Sequence, residues 1–402
     1  MPIFKGLVLV TYSVILDYLY SAAYGLYDRI ISCIYAPSKR QSKILSPAPL
    51  LQEPRFPPEL LELIAELLFQ LQPQNGSTSG EETLVCCTKP SWGDVRGFMA
   101  ASPALHHMGM MRWLQVLTIQ EPGDWALAVR YSSVVREIRC LSGVLTSGSD
   151  KLILASFLRL HTLSIDTHDD VIQSGNRWMY RKPISFLPSS IVRLEITHAH
   201  SPDVNFISAV KRHCPALEEL RLGRCTMFNR SSACDFWRSF PLEHSSYISD
   251  GGIEEYASSL AQELAPLRNL KVLRMGIYLA SSSAVLGHRL YHTRGRLAPD
   301  AIDWQLAIPL AQQLLDDDAG ENPVHVEPAN TEVLINLLHQ SDSEFDDNTC
   351  SLCATQYRQA NQDAEANANN ILIGLVPSLE TIQWMNWFTP KHLGVSSYHF
   401  VH

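Results

Sequence analysis

The sequence predicts an α/β solenoid, an irregular array of parallel strands and helices, preceded by a small all-α module and interrupted by one acidic insertion. Two observations predict the array. The pattern apolar-x-x-apolar-x-apolar recurs along residues 135–384 with a period of about 26, and prolines stand just before several of the matches, where they end helices and release the chain into strands. A third predicts the module: two short apolar runs at helical spacing lie upstream of the first match.

The chain has 402 residues, 46% of them hydrophobic, which is ample for a core without disulfides or metal. Its formal net charge of −9 argues against sequence-independent nucleic-acid binding, which needs a cationic surface to displace counterions from phosphates. The charge is uneven. Residues 300–370 hold fourteen acidic side chains against one base, Arg358, so the remainder stands at +4. Nine cysteines, an odd number thinly spread, do not read as a secreted disulfide framework and favour a reducing compartment, cytoplasmic or nuclear.

Residues 1–35 form an apolar N-terminal segment. Gly6–Tyr27 carries only Asp17 and is long enough to span a bilayer, although a carboxylate near its centre costs about 2.5–3.5 kcal/mol. Three readings stay open: a membrane-associated helix, a signal peptide with Lys5, a Leu7–Leu16 core and Ser21-Ala22-Ala23 at the cleavage position, or a docking helix anchored by its tyrosines. Residues 36–53, rich in Pro, Ser, Lys and Gln, read as a linker.

The all-α module is expected at 54–117. Phe56-Pro57-Pro58-Glu59 opens a helix with Leu60, Leu61, Ile64, Leu67 and Leu68 at helical spacing, with proline where the first turn tolerates it. After a polar loop at Gln72–Thr83, Asp94 is placed to cap a second helix carrying Val95, Phe98, Met99, Ala101 and Ser102, which Pro103 interrupts near its end. These residues, Phe56-Pro57-x-Glu59-Leu60 and Asp94-Val95-x-x-Phe98-x-x-Ala101-Ser102-x-x-Leu105, resemble the F-box, a helical module that docks on the Skp1 adaptor of cullin-RING ubiquitin ligases. The resemblance implies Skp1 contacts through Phe56, Pro57, Leu60, Leu61, Ile64, Leu67, Val95 and Phe98, with a cullin as the next partner.

Repeats are expected over 118–275. Leu217-Glu-Glu-Leu220-Arg-Leu222-Gly-Arg-Cys225 fits the leucine-rich-repeat pattern in full, and shorter matches begin at Val135, Leu160, Ile191, Leu270 and Leu379. The 53-residue step from Leu217 to Leu270 reads as two units, one of them diverged near residue 243. In the unit Ser201–Cys225, Val204, Ile207 and Val210 are expected on one helix face, with Lys211, Arg212 and His213 at its negative end and Pro215 as its stop. The Cys or Asn that usually follows the strand occurs once, at Cys225; its equivalents are Gly143, His168, Ala199, Tyr278 and Trp387. The array is thus irregular, like the repeats of F-box proteins.

Residues 276–370 read as an acidic insertion. Ile302–Leu315 and Val333–Leu338 could form short helices, whereas Asp316-Asp317-Asp318 and Ser341–Asn348 read as solvated chain, either a plain loop or an arm for basic partners or for phosphorylation at Ser341 and Ser343. Residues 371–402 are expected to hold a terminal repeat and a C-terminal cap.

Motifs for catalysis are scarce. Phosphate-binding, zinc-protease and dinucleotide fingerprints do not occur, and Gly76-Ser-Thr-Ser-Gly80 carries Thr78 where a nucleophile elbow carries serine. Cys350-x-x-Cys353 is a single pair with His339 the nearest upstream histidine, and zinc needs four ligands, so no metal ligand, catalytic residue or cofactor is assigned. An F-box ahead of irregular leucine-rich repeats is similar to fungal F-box proteins. That resemblance implies a non-catalytic substrate-recognition adaptor of a Skp1-cullin-F-box ubiquitin ligase that binds an unidentified target protein through the repeats. The alternative is a repeat scaffold outside any ligase, tethered to a membrane by residues 1–35.

Overall fold

The structure, a computed structural model, describes residues 57–71, 87, 89–145, 150–175, 177–181, 184–225, 236, 247–248, 252–281, 358–386 and 394–401. The expectations for residues 1–35 and 36–53, for Phe56, for the acidic runs between 300 and 357, and for Cys350 and Cys353 fall outside them.

Among the described residues three helices come first: α1 (Pro58–Leu68), α2 (Trp92–Ala100) and α3 (Pro103–Trp113). Pro58 occupies the first helical position of α1, where its missing N–H costs nothing. The cap of α2 is Ser91 rather than Asp94: the Asp94 N–H donates to Ser91 Oγ at 3.3 Å, and that hydroxyl donates to Asp94 Oδ2 at 2.7 Å. Asp94 therefore lies inside the first turn of α2. Nor does Pro103 interrupt α2. It opens α3, with Ser102 as the cap accepting from the Leu105 N–H at 3.2 Å.

The chain then builds a largely parallel sheet. Its principal strands are β1 (Val116–Ile119), β2 (Glu137–Cys140), β3 (Thr162–Asp166), β6 (Arg193–Ala199), β7 (Glu219–Arg224), β9 (Val272–Ser281), β10 (Thr381–Asn386) and β11 (Gly394–His399), neighbours in that order. All pairings from β1 to β10 are parallel, and β11 closes the edge antiparallel to β10. Between β3 and β6 the chain makes a two-stranded hairpin, β4 (Val171–Ser174) with β5 (Arg177–Tyr180). The two-residue β8 (Tyr247–Ile248) pairs with the far end of β9.

Register accounts for the repeat pattern. Leu117, Ile138, Leu163, Leu194, Leu220, Leu273 and Ile382 stand side by side across the seven parallel strands. A second row, Ile119, Cys140, Ile165, Ile196, Leu222, Met275 and Trp384, lies two residues on. Both rows belong to one continuous buried core. Burying each such large side chain contributes about 1.5–3 kcal/mol, and no unit could bury its own rows without neighbours.

Helices cover this face where they occur: α4 (Asp124–Arg130), α5 (Asp150–Leu154), α6 (Asp203–His213), α7 (Gly252–Leu264) and α8 (Gln359–Leu375). The buried residues of α6 include Phe206, Ile207 and Val210, while Val204, expected on that face, is exposed. Basic Lys211, Arg212 and His213 do fall in the last turn of α6.

Several boundaries differ from the sequence reading. Strand β1 adds a unit that begins at Leu114, inside the stretch assigned to the helical module. Strand β7 pairs directly with β9, so the 53-residue step is one unit with an insertion and not two units. Tyr278 of β9 meets both Tyr247 and Met385, which puts β8 on the same edge of β9 as β7, beyond the residues that β7 pairs. Strand β9 runs on past 275, and α8 begins within the last part of the 276–370 segment. Strand β10 pairs in parallel with β9, although the two lie far apart in the chain.

Candidate docking surfaces

The three-helix module has a small core of its own. Ala65 and Phe69 meet Val95 and Met99, with Leu68, Phe98, Met108, Met110 and Trp113 packed around them. The rings of Phe69 and Phe98 lie edge to face at 6.0 Å between centroids. Gly109 of α3 permits this approach, because a Cβ there would fall 2.6 Å from Met99 Cγ and 3.0 Å from the Phe69 ring. An ion pair between Arg112 and Glu62 ties α3 to α1.

Packing divides α1 into two apolar faces. Leu61, Ala65, Leu68 and Phe69 turn inward, buried or half-buried. Leu60, Leu63, Ile64 and Leu67 turn outward, exposed by 47%, 51%, 39% and 65%. Those four sit at i, i+3, i+4 and i+7, a single stripe that includes Leu60, Ile64 and Leu67 of the expected contact set. Pro57 is also exposed. Leu61 and Phe98 are half-buried, and Val95 is wholly buried. Val95 is therefore a packing residue and not a contact, because the face of α2 that carries it is the one turned onto α1. Leu63 lies in the same stripe, three residues from Leu60; periodicity finds apolar positions but cannot tell which of two apolar faces a neighbour covers.

The second surface is the polar side of the sheet. Arg139, Ser164, Glu195, Arg221, Arg274 and Gln383 stand in one register row between the two apolar rows. The charges on this face pair: Arg221 meets Glu195 at 3.0 Å, Arg274 meets Glu219 at 2.8 Å, and Arg193 meets Glu219 at 3.6 Å. Ser164 Oγ donates to Glu195 at 2.5 Å. At the C-terminal ends of the strands this row opens into a recess of about 70 Å³ lined by Arg139, Asp166, His198 and Arg221 among others. Within this row Ser164, Glu195 and Gln383 are buried, Arg221 and Arg274 are half-buried and Arg139 is exposed.

Titratable groups outside these faces are shifted by burial. The Cys214 thiol is pushed up to about 12, and burial lowers the Lys89 ammonium to about 8. Cys87 is raised first by burial and then by Glu137, whose carboxylate accepts the Cys87 N–H at 2.8 Å. Of the close histidine sets, His106 and His107 lie on α3, and His399 approaches Thr381 at 3.1 Å, while His402 falls outside the described residues. No helix among the described residues is long and apolar enough to cross a membrane.

Comparison with protein-family models, with curated proteins and with solved structures returns no match to this chain. What the coordinates define is a mostly parallel α/β protein with an outward apolar helix face at one end and a charged, self-paired sheet face along its length.

Proposed function

We propose that the chain is a non-catalytic substrate-recognition adaptor of a Skp1-cullin-F-box ubiquitin ligase, acting in the cytoplasm or nucleus. In this reading α1–α3 are an F-box-like module, and the parallel sheet with its covering helices is an irregular leucine-rich-repeat solenoid. The module docks on a Skp1-like adaptor through Leu60, Leu63, Ile64 and Leu67, with Pro57 and Leu61 beside them in the sequence. The polar sheet face holds the target protein. Its contribution to ubiquitination is positional: a tethered target meets the transferring enzyme at a raised effective concentration.

The observation that carries the reading is the four-residue stripe on α1, exposed although the opposite face of the same helix is packed. An amphipathic helix with anchors at i, i+3, i+4 and i+7 is the form in which helices enter a partner's groove. The deciding experiment is a pull-down of the full chain with a Skp1-like adaptor and a cullin, beside a Leu60→Asp, Ile64→Asp double variant. Binding by the wild type and its loss in the variant are expected. A wild type that captures neither partner overturns the proposal.

A second reading, a repeat scaffold tethered to a membrane, is favoured by one feature, the apolar Gly6–Tyr27 stretch. Recovery of the full chain in a membrane fraction, and of a chain lacking residues 1–35 in the supernatant, is what that reading expects.

A further inference from the structure

We infer that His168, His200 and Cys225 form a binding site for one zinc ion at the C-terminal ends of β3, β6 and β7. One donor atom from each of the three lies within 4.8 Å of the others, and His200 and Cys225 are buried.

The fold itself brings them together. His168 and Cys225 hold the same position in their repeats, eight residues after Leu160 and Leu217, so stacked units place both turns on one edge. The equivalent residue of the intervening unit is Ala199, which could not ligate. Strand β6, however, carries an extra residue between Ile196 and Ala199, with His198 in the left-handed region at φ 55°. That bulge sets Ala199 beside Arg224 and so carries His200 level with Cys225. The Cys225 N–H then donates to Ala199 O at 3.0 Å, which fixes the register of the two turns.

The surroundings are those of a ligating pair. Asp170 Oδ1 lies 2.9 Å from His200 Nδ1, and its Oδ2 accepts the backbone N–H groups of His200 and Ser201 at 3.0 and 2.7 Å. A buried carboxylate on Nδ1 fixes the imidazole tautomer and turns the Nε2 lone pair to the metal. His168 Nε2 is buried with no hydrogen-bond partner, and leaving such an atom unmet costs about 1–3 kcal/mol. The Phe236 ring lies tilted against His200 at 4.8 Å between centroids, and Trp178 meets Phe236 edge to face at 5.5 Å, so aromatic rings line one side of the donors.

Two imidazoles and one thiolate suit a borderline-soft ion, and zinc bonds to nitrogen at about 2.0–2.1 Å and to sulfur at about 2.3 Å. The Cys225 thiol releases its proton to solvent as the zinc–sulfur bond forms. The ion staples three consecutive turns of the sheet, and a fourth ligand position is left for water. The site shares no residue with α1 and does not depend on the adaptor reading.

The test uses the full chain, loaded with zinc sulfate, desalted and measured for bound metal. One zinc per chain is expected, with loss of at least tenfold in affinity in Cys225→Ser and His168→Gln, and 10–100-fold in Asp170→Asn. Cobalt loading is expected to give a thiolate-to-cobalt charge-transfer band that Cys225→Ser abolishes. A Cys350→Ser, Cys353→Ser double variant is expected to keep its zinc. His168 is only half-buried, so His168→Gln, checked for native circular dichroism, carries the test if Cys225→Ser fails to fold. Absence of bound zinc in the wild type, zinc unchanged in folded His168→Gln, or binding of copper(I) in place of zinc overturns the assignment.

Discussion

At Gly276 in β9 the backbone of the neighbouring strand leaves no room for a side chain. A Cβ there would fall 2.6 Å from Arg224 N, 2.7 Å from Gly223 Cα and 2.8 Å from Leu222 O, all backbone atoms that cannot rotate away. Gly276→Ala must separate β7 from β9, and overpacking of this kind costs about 1–3 kcal/mol. A lowered thermal midpoint with unchanged secondary structure is the expected result; a midpoint equal to wild type would contradict the close approach. Glu365 of α8 is a different residue-scale case. It is wholly buried, accepting Asn361 Nδ2 at 2.7 Å and the Tyr398 hydroxyl at 2.6 Å, and burial holds its pKa above the ordinary 4.5 against the lowering effect of those bonds. A raised folded-state value means that the folded protein binds the extra proton: the contribution is full below pH 4.5 and is lost as pH rises through the raised value. Wild type should therefore lose stability relative to Glu365→Gln as pH rises from 4.5 through the raised value. Urea midpoints of both proteins across that range check it, and parallel curves would sink it. Neither residue was legible in the sequence, because a glycine in a strand and a glutamate in an asparagine-rich run reveal nothing of what lies beside them.

Helix α1 carries its consequences on two faces at once. Substituting the outward Leu63 by Asp should change stability by no more than about 0.5 kcal/mol, since the side chain is half exposed. It should nonetheless weaken capture of a Skp1-like adaptor by about tenfold or more if the stripe is the docking face. Val95→Ala should do the reverse, costing about 1–3 kcal/mol through a cavity beneath α1 while sparing the contacts themselves. A thermal melt and a binding isotherm on each variant separate the two, and a Leu63→Asp protein that melts far below wild type would place that residue in the core. The sequence showed α1 and α2 clearly, because apolar spacing of three and four needs no knowledge of partners. It concealed α3, whose apolar residues are broken by His106, His107 and Arg112, although Ser102-Pro103 was a start signal in plain view. The repeat strands were legible for a similar reason: their two apolar rows are read at fixed spacing, and only Leu114-x-x-Leu117-x-Ile119 escaped notice at the head of the array. The zinc donors could not be read, since a bulge at His198 decides that His200 and not Ala199 joins Cys225.

On the scale of the whole molecule, the uneven charge meets the strand order. Asp300 to residue 350 contains twelve acidic side chains and no lysine or arginine, yet the strands on either side of that stretch, β9 and β10, pair directly from Thr381 with Val272 to Trp384 with Met275. Sheet closure thus takes place between residues more than a hundred positions apart in the chain, and α8 packs against α7 as part of the same layer. Loop-closure cost grows only with the logarithm of length, so a long connection here is thermodynamically cheap and a shorter one cheaper still. Replacing residues 300–350 by a short Gly-Ser linker should leave the sheet and its cooperative unfolding intact, with a thermal midpoint at or slightly above that of the full chain. The same change moves the formal net charge from −9 to +3. That reversal separates two roles for the acidity. If the insertion merely solvates the loop, the shortened chain keeps its target and its adaptor. If it screens the arginines of the polar sheet face, or competes for them, the shortened chain should bind acidic polymers such as heparin at low salt while the full chain does not, and a binding assay across ionic strength reads the difference directly. A shortened chain that fails to fold would show that the insertion contributes to the core, against the direct pairing of β9 with β10.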